Sequence, residues 1–154
     1  MKRRPVLSAM VGLATLVVAG CGGSSSGAGE PAAAGGGTRT VEVTITPAKQ
    51  YQPASVTVAP GEVVTFKVTN ASGELHEFMM GDSHAHAAHE KEMAGMPMAS
   101  MKMADTPNYV DIDPGQTKQL TWKFPAKAGM TVVFGSHIPG DFTGGLKGSV
   151  TVGG

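Results

Sequence analysis

The sequence predicts an all-β domain, a sandwich or barrel of about eight short strands. Between positions 41 and 152, short runs of β-branched and aromatic residues are separated by Pro, Gly, Asn and Asp. In EVVTFKVT at 62–69, a Val, a Phe and a second Val at alternate positions share one face, as in a strand buried on one side. Pro-Gly pairs at 60–61 and 114–115 are typical of tight turns, because Pro fixes φ at about −65° and Gly tolerates a positive φ.

The same pattern gives the individual elements. The predicted strands cover 41–46, 55–58, 62–69, 75–80, 109–112, 116–124, 130–134 and 148–152. A single helix is predicted at 83–96, with Asp82 or Ser83 as its N-cap and Pro97 limiting its end. This helix belongs to an insertion at 79–103, between the fourth and fifth predicted strands.

Length and charge exclude some classes of function. With 154 residues, the chain has room for one modest domain after any targeting segment. Lys and Arg together number 12, as do Asp and Glu, and no basic cluster follows the first four positions. Without the basic residues at 2–4, nine basic residues face 12 acidic ones, a net charge of −3. Nucleic acid is therefore not an expected partner.

The first 20 residues are typical of a secretory signal peptide. A basic start is followed by an apolar run at 6–19, which is shorter than the roughly 18–20 residues that span a bilayer. The tetrad Val18-Ala19-Gly20-Cys21 resembles a bacterial lipobox, which implies that Cys21 is lipidated and becomes the N-terminus. We therefore expect an extracytoplasmic protein, anchored by lipid to the bacterial cell membrane on its periplasmic or cell-wall side. The alternative is an ordinary signal peptide cut near Ala19, which leaves Cys21 as a free thiol.

A flexible linker separates this anchor from the folded domain. Residues 22–37 read GGSSSGAGEPAAAGGG and contain no large apolar side chain. A coil of this length has an end-to-end distance of about 22 Å, enough to hold a small domain just off a membrane. We assign 1–20 to the signal peptide, 21–40 to the lipidated cysteine and linker, and 41–154 to the domain. Because no cysteine follows Cys21, the domain has no disulfide.

Three segments resemble the cupredoxin family, the plastocyanin-like blue copper proteins. They are VAPGEVVTFKVTN at 58–70, the tripeptide HEF at 76–78, and FGSHIPGDFTGGLKGSVTV at 134–152. Together with the order of the strands, they extend the resemblance over roughly 41–152. The resemblance implies a cupredoxin-like Greek-key β-sandwich, here with a short helical insertion.

The blue copper site that the resemblance implies is largely lost. In the family, one His from the fourth strand region joins a Cys, a His and a weak Met from the last loop. His76 retains the first position, whereas Ser136, Asp141 and Leu146 occupy the other three. A hydroxyl is a poor copper ligand and leucine is none, so no type 1 blue copper is expected. The site could bind Cu(II) or Zn(II) loosely through His76, Asp141 and also His137. Alternatively it is a closed pocket, with His76 hydrogen-bonded under the final loop and Asp141 capping a turn.

The insertion at 79–103 predicts a second metal site. It contains seven of the ten methionines and three of the five histidines. Thioethers suit Cu(I) and imidazoles suit Cu(II), and neither is lost to disulfide formation in an oxidising compartment. No Leu, Ile, Val or Phe occurs from Gly81 to Met103, so we expect no conventional core face here. The candidate ligands of the insertion are Met79, Met80, His84, His86, His89, Met93, Met96, Met98, Met101 and Met103. On a helix, His89 would share a face with Met93 and Met96, with His86 one turn earlier, so these four could converge.

These patterns favour metal binding over catalysis. The sequence HEKEM at 89–93 resembles part of a metalloprotease HExxH motif, but Met93 replaces the second His. The chain shows no Ser/His/Asp set, phosphate loop or closed zinc motif, so we expect no enzyme. We expect copper buffering or delivery through the Met/His-rich insertion, with an envelope copper-handling or redox protein as partner. The alternatives are blue-copper electron transfer and a metal-free module that has a structural role or binds another protein.

Overall fold

Two β-sheets pack face to face in the computed structural model, which describes residues 38–153. The signal peptide, Cys21 and the linker at 22–37 predicted above lie outside the described residues. Within 38–153, no helix is long and apolar enough to cross a membrane.

The chain contributes nine strands and two α-helices to this part of the structure. The elements are β1 (Thr38–Ile45), β2 (Tyr51–Gln52), β3 (Ser55–Val58), β4 (Val63–Asn70), β5 (His76–Gly81), α1 (Ser83–Ala94), β6 (Tyr109–Ile112), β7 (Thr117–Lys123), β8 (Thr131–Gly135), α2 (Asp141–Gly144) and β9 (Lys147–Val152), with a 3₁₀ turn at Met98–Ser100. One sheet has the order β2-β1-β4-β7 and the other β3-β9-β8-β5-β6. The pairs β1/β4 and β3/β9 are parallel, and the remaining pairs are antiparallel.

The core between the sheets follows from the predicted alternation. In β4, Val64, Phe66 and Val68 are fully buried, while Thr65 and Thr69 lie on the opposite face. Those threonines pair with threonines of β7 through their Oγ atoms, at 2.9 and 2.8 Å. Phe78 and Phe134 from the second sheet pack against Phe66, with ring centroids 5.5 and 6.5 Å away. The all-β sandwich is therefore confirmed.

The structure also differs from the predicted elements in detail. The sequence analysis missed β2, which is only two residues long and pairs with the end of β1. It also missed α2, a single turn between Gly140 and Gly145, both of which have a positive φ. The helix α1 matches the prediction, with Asp82 as N-cap accepting the Ala85 N–H at 2.8 Å, but ends at Ala94 because Gly95 caps it.

The expectation that the insertion has no core face was wrong. Met93 and Met101 are buried against Ile138, with exposures of 0%, 3% and 9%. Three further side chains pack on this group with partial burial: Leu75, Met96 and Met103. Methionine makes this possible because its flexible, polarizable side chain fills irregular gaps that branched residues leave. Apolar contacts of Met93 and Met101 with Ile138 therefore hold the insertion against the loop after β8.

Candidate metal site

Strand β5 presents its two faces to different surroundings. It lies between β8 and β6, and Phe78 and Met80 point into the core between the sheets. Because side chains alternate along a strand, Glu77 and Met79 point the other way, to the side where α1 packs. All six residues of β5 are buried, so the carboxyl group of Glu77 lies in the interior of the protein.

His76, at the retained cupredoxin position, is hydrogen-bonded through one ring nitrogen, while its Nε2 has no partner within residues 38–153. Its Nδ1 lies 2.6 Å from Oδ2 of Asp141, which also accepts the hydroxyl of Ser136 at 2.7 Å. Ser136 in turn accepts the backbone N–H of Glu77 at 3.1 Å. Leu146, at the fourth family position, is fully buried in the core. The four family positions lie close together, and hydrogen bonds join three of them: His76, Ser136 and Asp141.

Two expectations about this pocket need correction. Asp141 does not cap a turn with its side chain, since α2 has Gly140 as its N-cap and no side-chain cap hydrogen bond among the described residues. His137 does not join His76 and Asp141, because its ring contacts the insertion instead. Ser136 and His137 are consecutive, and their side chains meet different groups.

Three histidine rings meet on the other side of β5, under the insertion. Nδ1 of His86 lies 2.8 Å from Nε2 of His137, and the other His86 nitrogen, Nε2, lies 3.1 Å from the carbonyl oxygen of Val133. His89 stands edge-on to His137, with ring centroids 5.3 Å apart and an interplanar angle of 89°. Phe142 stacks on His137 at 4.5 Å and on His86 at 5.3 Å. The insertion and the loop before α2 therefore form one cluster of imidazoles.

The buried carboxylate of Glu77 completes this cluster. Its Oε2 accepts the backbone N–H of His137 at 2.7 Å and lies 3.4 Å from Nε2 of His89. The contact to His89 is an ion-pair distance without hydrogen-bond geometry, since Nε2 of His89 has no partner among the described residues. The candidate ligands named from the sequence did not include Glu77. Its position beside His76, on the opposite face of the same strand, was the signal available.

Burial and neighbouring charges shift the pKa values of the three histidines in different directions. Burial lowers the pKa of His86. It also lowers the pKa of His137 to about 4, with a further contribution from His86 and His89. The neighbouring carboxyl group of Glu77 raises the pKa of His89 against the effect of burial. Near pH 7 the rings of His86 and His137 are therefore neutral, and each has one nitrogen lone pair.

The predicted ligands do not all converge. His86 and His89 face His137, whereas Met93 and Met96 pack at Ile138. The remaining candidates are dispersed: Met79 and Met103 line a cavity of about 430 Å³ beside His89, Met80 is in the main core, Met101 packs on Ile138, and His84 and Met98 are exposed. In the part of the chain that the structure describes, no three His, Cys, Asp or Glu side chains already gather their donor atoms around one ion-sized point.

Comparison with known proteins now decides the family. The chain is 33% identical to the copper-resistant cuproprotein CopI of Pseudomonas aeruginosa, over 80% of this chain and 81% of that protein. The chain belongs to the CopI family. CopI of Rubrivivax gelatinosus is 37% identical, over 80% of this chain and 72% of its own length. CopI of Vibrio cholerae is 33% identical over 62% of this chain and 53% of its length. No protein-family model matches the sequence.

Solved cupredoxin structures share the fold of this CopI-family domain. Auracyanin B superposes with a TM-score of 0.61 at 25% identity, covering 75% of this chain and 89% of its own. Reduced auracyanin from Roseiflexus castenholzii gives 0.60 at 27% identity, covering 78% and 100%. Auracyanin A from Chloroflexus aurantiacus, a "blue" copper protein, gives 0.59 at 24% identity, which shows the fold alone. The resemblance to cupredoxins is therefore confirmed.

Proposed function

We propose that this chain binds copper in the cell envelope and contributes to copper resistance by buffering the ion or delivering it. Its relatives are copper-resistant cuproproteins, and its fold is that of the auracyanins. Within the domain, four of the five histidines are buried on or next to β5. These buried histidines provide suitable ligands, because imidazole binds copper and similar cations.

The copper ion binds under the insertion and not in the former blue copper pocket. One observation carries this proposal: His86 of the insertion lies 2.8 Å from His137 of the loop before α2, across 51 positions of sequence. The two histidines come from different elements and meet beside β5. In the pocket on the other face, the carboxylate of Asp141 already accepts from His76 and Ser136. Coordination there by Nδ1 of His76 or by Ser136 would compete with these hydrogen bonds, which leaves Nε2 of His76 as the one unpaired nitrogen of that pocket within the described residues.

The protein acts by binding and not by electron transfer or catalysis. Blue copper centres require a thiolate, and the sequence after Cys21 contains no cysteine. The hydroxyl of Ser136, at the family's cysteine position, donates to Asp141. Cys21 itself is assigned to the lipid anchor, so the domain works at a membrane surface at the end of the linker. A copper-handling protein of the envelope is the partner that this placement favours.

Copper titration of the full chain tests the proposal. We expect the wild-type protein to retain copper after desalting, and the double variant His86→Ala/His137→Ala to lose most of it. His84→Ala is the matched control, because His84 lies on α1 but is exposed. Retention by the double variant equal to that of His84→Ala would place the ion elsewhere. Failure of the wild type to retain copper would contradict the function itself.

Deletion of residues 82–103 provides a second test of the same site. Strands β5 and β6 are antiparallel neighbours, and residues 104–108 remain to connect them after the deletion. Loops tolerate such changes of length at small entropic cost, so we expect the sandwich to fold. The folded deletion variant should lose copper binding, and undiminished copper affinity would exclude the insertion as the binding site.

A further inference from the structure

Three unpaired polar atoms belong to the cluster that Glu77 forms with His89 and His137. Of the four buried side-chain polar atoms without a hydrogen-bond partner in residues 38–153, three belong to adjoining residues. They are Oε1 of Glu77, Nε2 of His89 and Nδ1 of His137, and these residues are 0%, 9% and 3% exposed. Each unpaired buried polar group costs about 1–3 kcal/mol, so three in one place require an explanation. All three are atom types that bind divalent cations.

We infer that Glu77, His89 and His137 bind one divalent cation through these atoms, with His86 as a positioning residue. The inference rests on the proposed function, and it deepens that function by naming the ligand atoms and the oxidation state. The ion is Cu(II), because two imidazoles and a carboxylate form a nitrogen and oxygen donor set without sulfur.

Hydrogen bonds already select the required tautomer of His137. The carbonyl of Val133 can only accept, so Nε2 of His86 carries the hydrogen at 3.1 Å. In the neutral ring, Nδ1 of His86 is then an acceptor, and it receives Nε2–H of His137 at 2.8 Å. The lone pair of His137 is consequently on Nδ1, the nitrogen that has no partner. His86 acts on the ion only through His137, as the outer partners of metal-binding histidines commonly do.

Glu77 connects the two coordinating histidines. Its Oε2 accepts the backbone N–H of His137 at 2.7 Å and lies 3.4 Å from Nε2 of His89. Two ligands at about 2.0 Å from a metal, separated by about 90–109°, are about 2.8–3.3 Å apart. The separation of Oε2 of Glu77 and Nε2 of His89 is within a few tenths of an ångström of this distance, and Oε1 is the unpaired oxygen of the same carboxyl group. Binding then requires His89 to turn so that its Nε2 joins Nδ1 of His137 around the ion.

Sulfur ligands are not part of this site. Met93 and Met101 are buried against Ile138, where their thioethers contribute to packing. Met79 and Met103 line a neighbouring cavity of about 430 Å³ that His89 also lines. Cu(I) prefers soft thioether ligands, whereas Cu(II) and Zn(II) accept imidazole and carboxylate. By the usual order of divalent affinities, Cu(II) binds such a set more tightly than Zn(II).

Electron paramagnetic resonance of the Cu(II)-loaded full chain tests the ligand set. We expect two coordinated imidazole nitrogens in the wild type and one in His89→Ala. Glu77→Gln, which keeps the shape of the side chain, should lower Cu(II) affinity at least about tenfold, and His84→Ala should leave it unchanged. His86→Ala should lower affinity by about 10–100-fold yet retain two nitrogens, because His86 positions His137 and does not coordinate. Loss of a nitrogen in His86→Ala, or unchanged affinity in Glu77→Gln, would overturn the assignment.

A parallel titration with Cu(I), against a chromophoric Cu(I) chelator, separates this inference from the proposed function. Retention of Cu(I) alone, unaffected by His89→Ala and Glu77→Gln, would leave the function standing and overturn the inference. Failure of the wild type to bind either oxidation state would overturn both. Thermal unfolding of each variant identifies any that fail to fold, and His89→Ala carries the test in that case because His89 lies on α1, outside the sandwich core.

Discussion

Replacing Asp141 with Ala removes an acceptor shared by two buried donors, and we expect this change to destabilise the domain without weakening copper binding. The Asp141 side chain is 2% exposed, and its Oδ2 lies 2.6 Å from His76 Nδ1 and 2.7 Å from Ser136 Oγ. A hydrogen bond to a charged group contributes about 1.5–3 kcal/mol. Two such bonds give a loss of about 3–6 kcal/mol in the free energy of unfolding for Asp141→Ala.

Asp141→Asn separates the charge from the hydrogen bonds. The amide oxygen can still accept from His76 and Ser136, but as a neutral acceptor that contributes about 0.5–1.5 kcal/mol for each bond. We therefore expect a loss of about 2–3 kcal/mol. Ser136→Ala removes one donor and should cost less than Asp141→Ala. If the Ala variant does not fold, Asn and Ser136→Ala still give the comparison.

Urea denaturation measures these free energies, and a Cu(II) titration of each folded variant measures affinity. Copper affinity should stay within about twofold of wild type, because Asp141 is not one of the proposed ligands. A twofold change in affinity corresponds to less than about 0.5 kcal/mol. An Ala variant within about 0.5 kcal/mol of wild type in stability would refute the reasoning, since that is the range of unimportant surface changes. A tenfold loss of copper affinity in folded Asp141→Asn would place the ion in the His76 pocket.

Three further predictions concern packing, colour and anchoring. Gly148→Ala should destabilise strongly, because a Cβ there would overlap the ring of Phe134 and the carbonyl of Ala54, whereas Gly144→Ala, whose Cβ meets nothing within 4 Å, should be nearly neutral; thermal unfolding compares them. A Cu(II)-loaded sample should lack the intense thiolate-to-copper absorption of blue copper proteins, and its presence would contradict the donor set. Cys21→Ala should release the protein from the membrane fraction, and continued membrane association would indicate an uncleaved signal anchor.

The fold could be predicted from local patterns because period-two alternation specifies which face of each strand is buried. Val64, Phe66 and Val68 were assigned to the core in this way, and all three are fully buried. The helix α1 was equally predictable from the sequence, because Asp is a strongly preferred N-cap residue and Asp82 caps this helix. Both features depend on a few neighbouring residues.

The candidate site was harder to predict from the sequence because it depends on contacts between distant segments. Glu77 is 60 positions from His137, and no local pattern shows that its carboxylate accepts the backbone N–H of that residue. The burial of Met93 and Met101 was missed for a similar reason, since their apolar partner Ile138 comes from another loop. Sequence patterns indicated which residue types were available, and the packing of α1 on β5 determined which of them meet.

The stacking of Phe142 on His137 affects how much side-chain conformational entropy is lost when a cation binds. The ring lies 4.5 Å from His137 and nearly parallel to it, at 18°, while the ammonium of Lys147 lies 5.0 Å from the Phe142 centroid. His137 is thus fixed in one rotamer before any ion arrives, and Glu77 is fixed by the backbone N–H that it accepts. Of the three proposed ligands, only His89 has to turn its ring when the ion binds. Immobilising one side chain costs about 0.5–1.5 kcal/mol, so the entropic cost of closing the site is small.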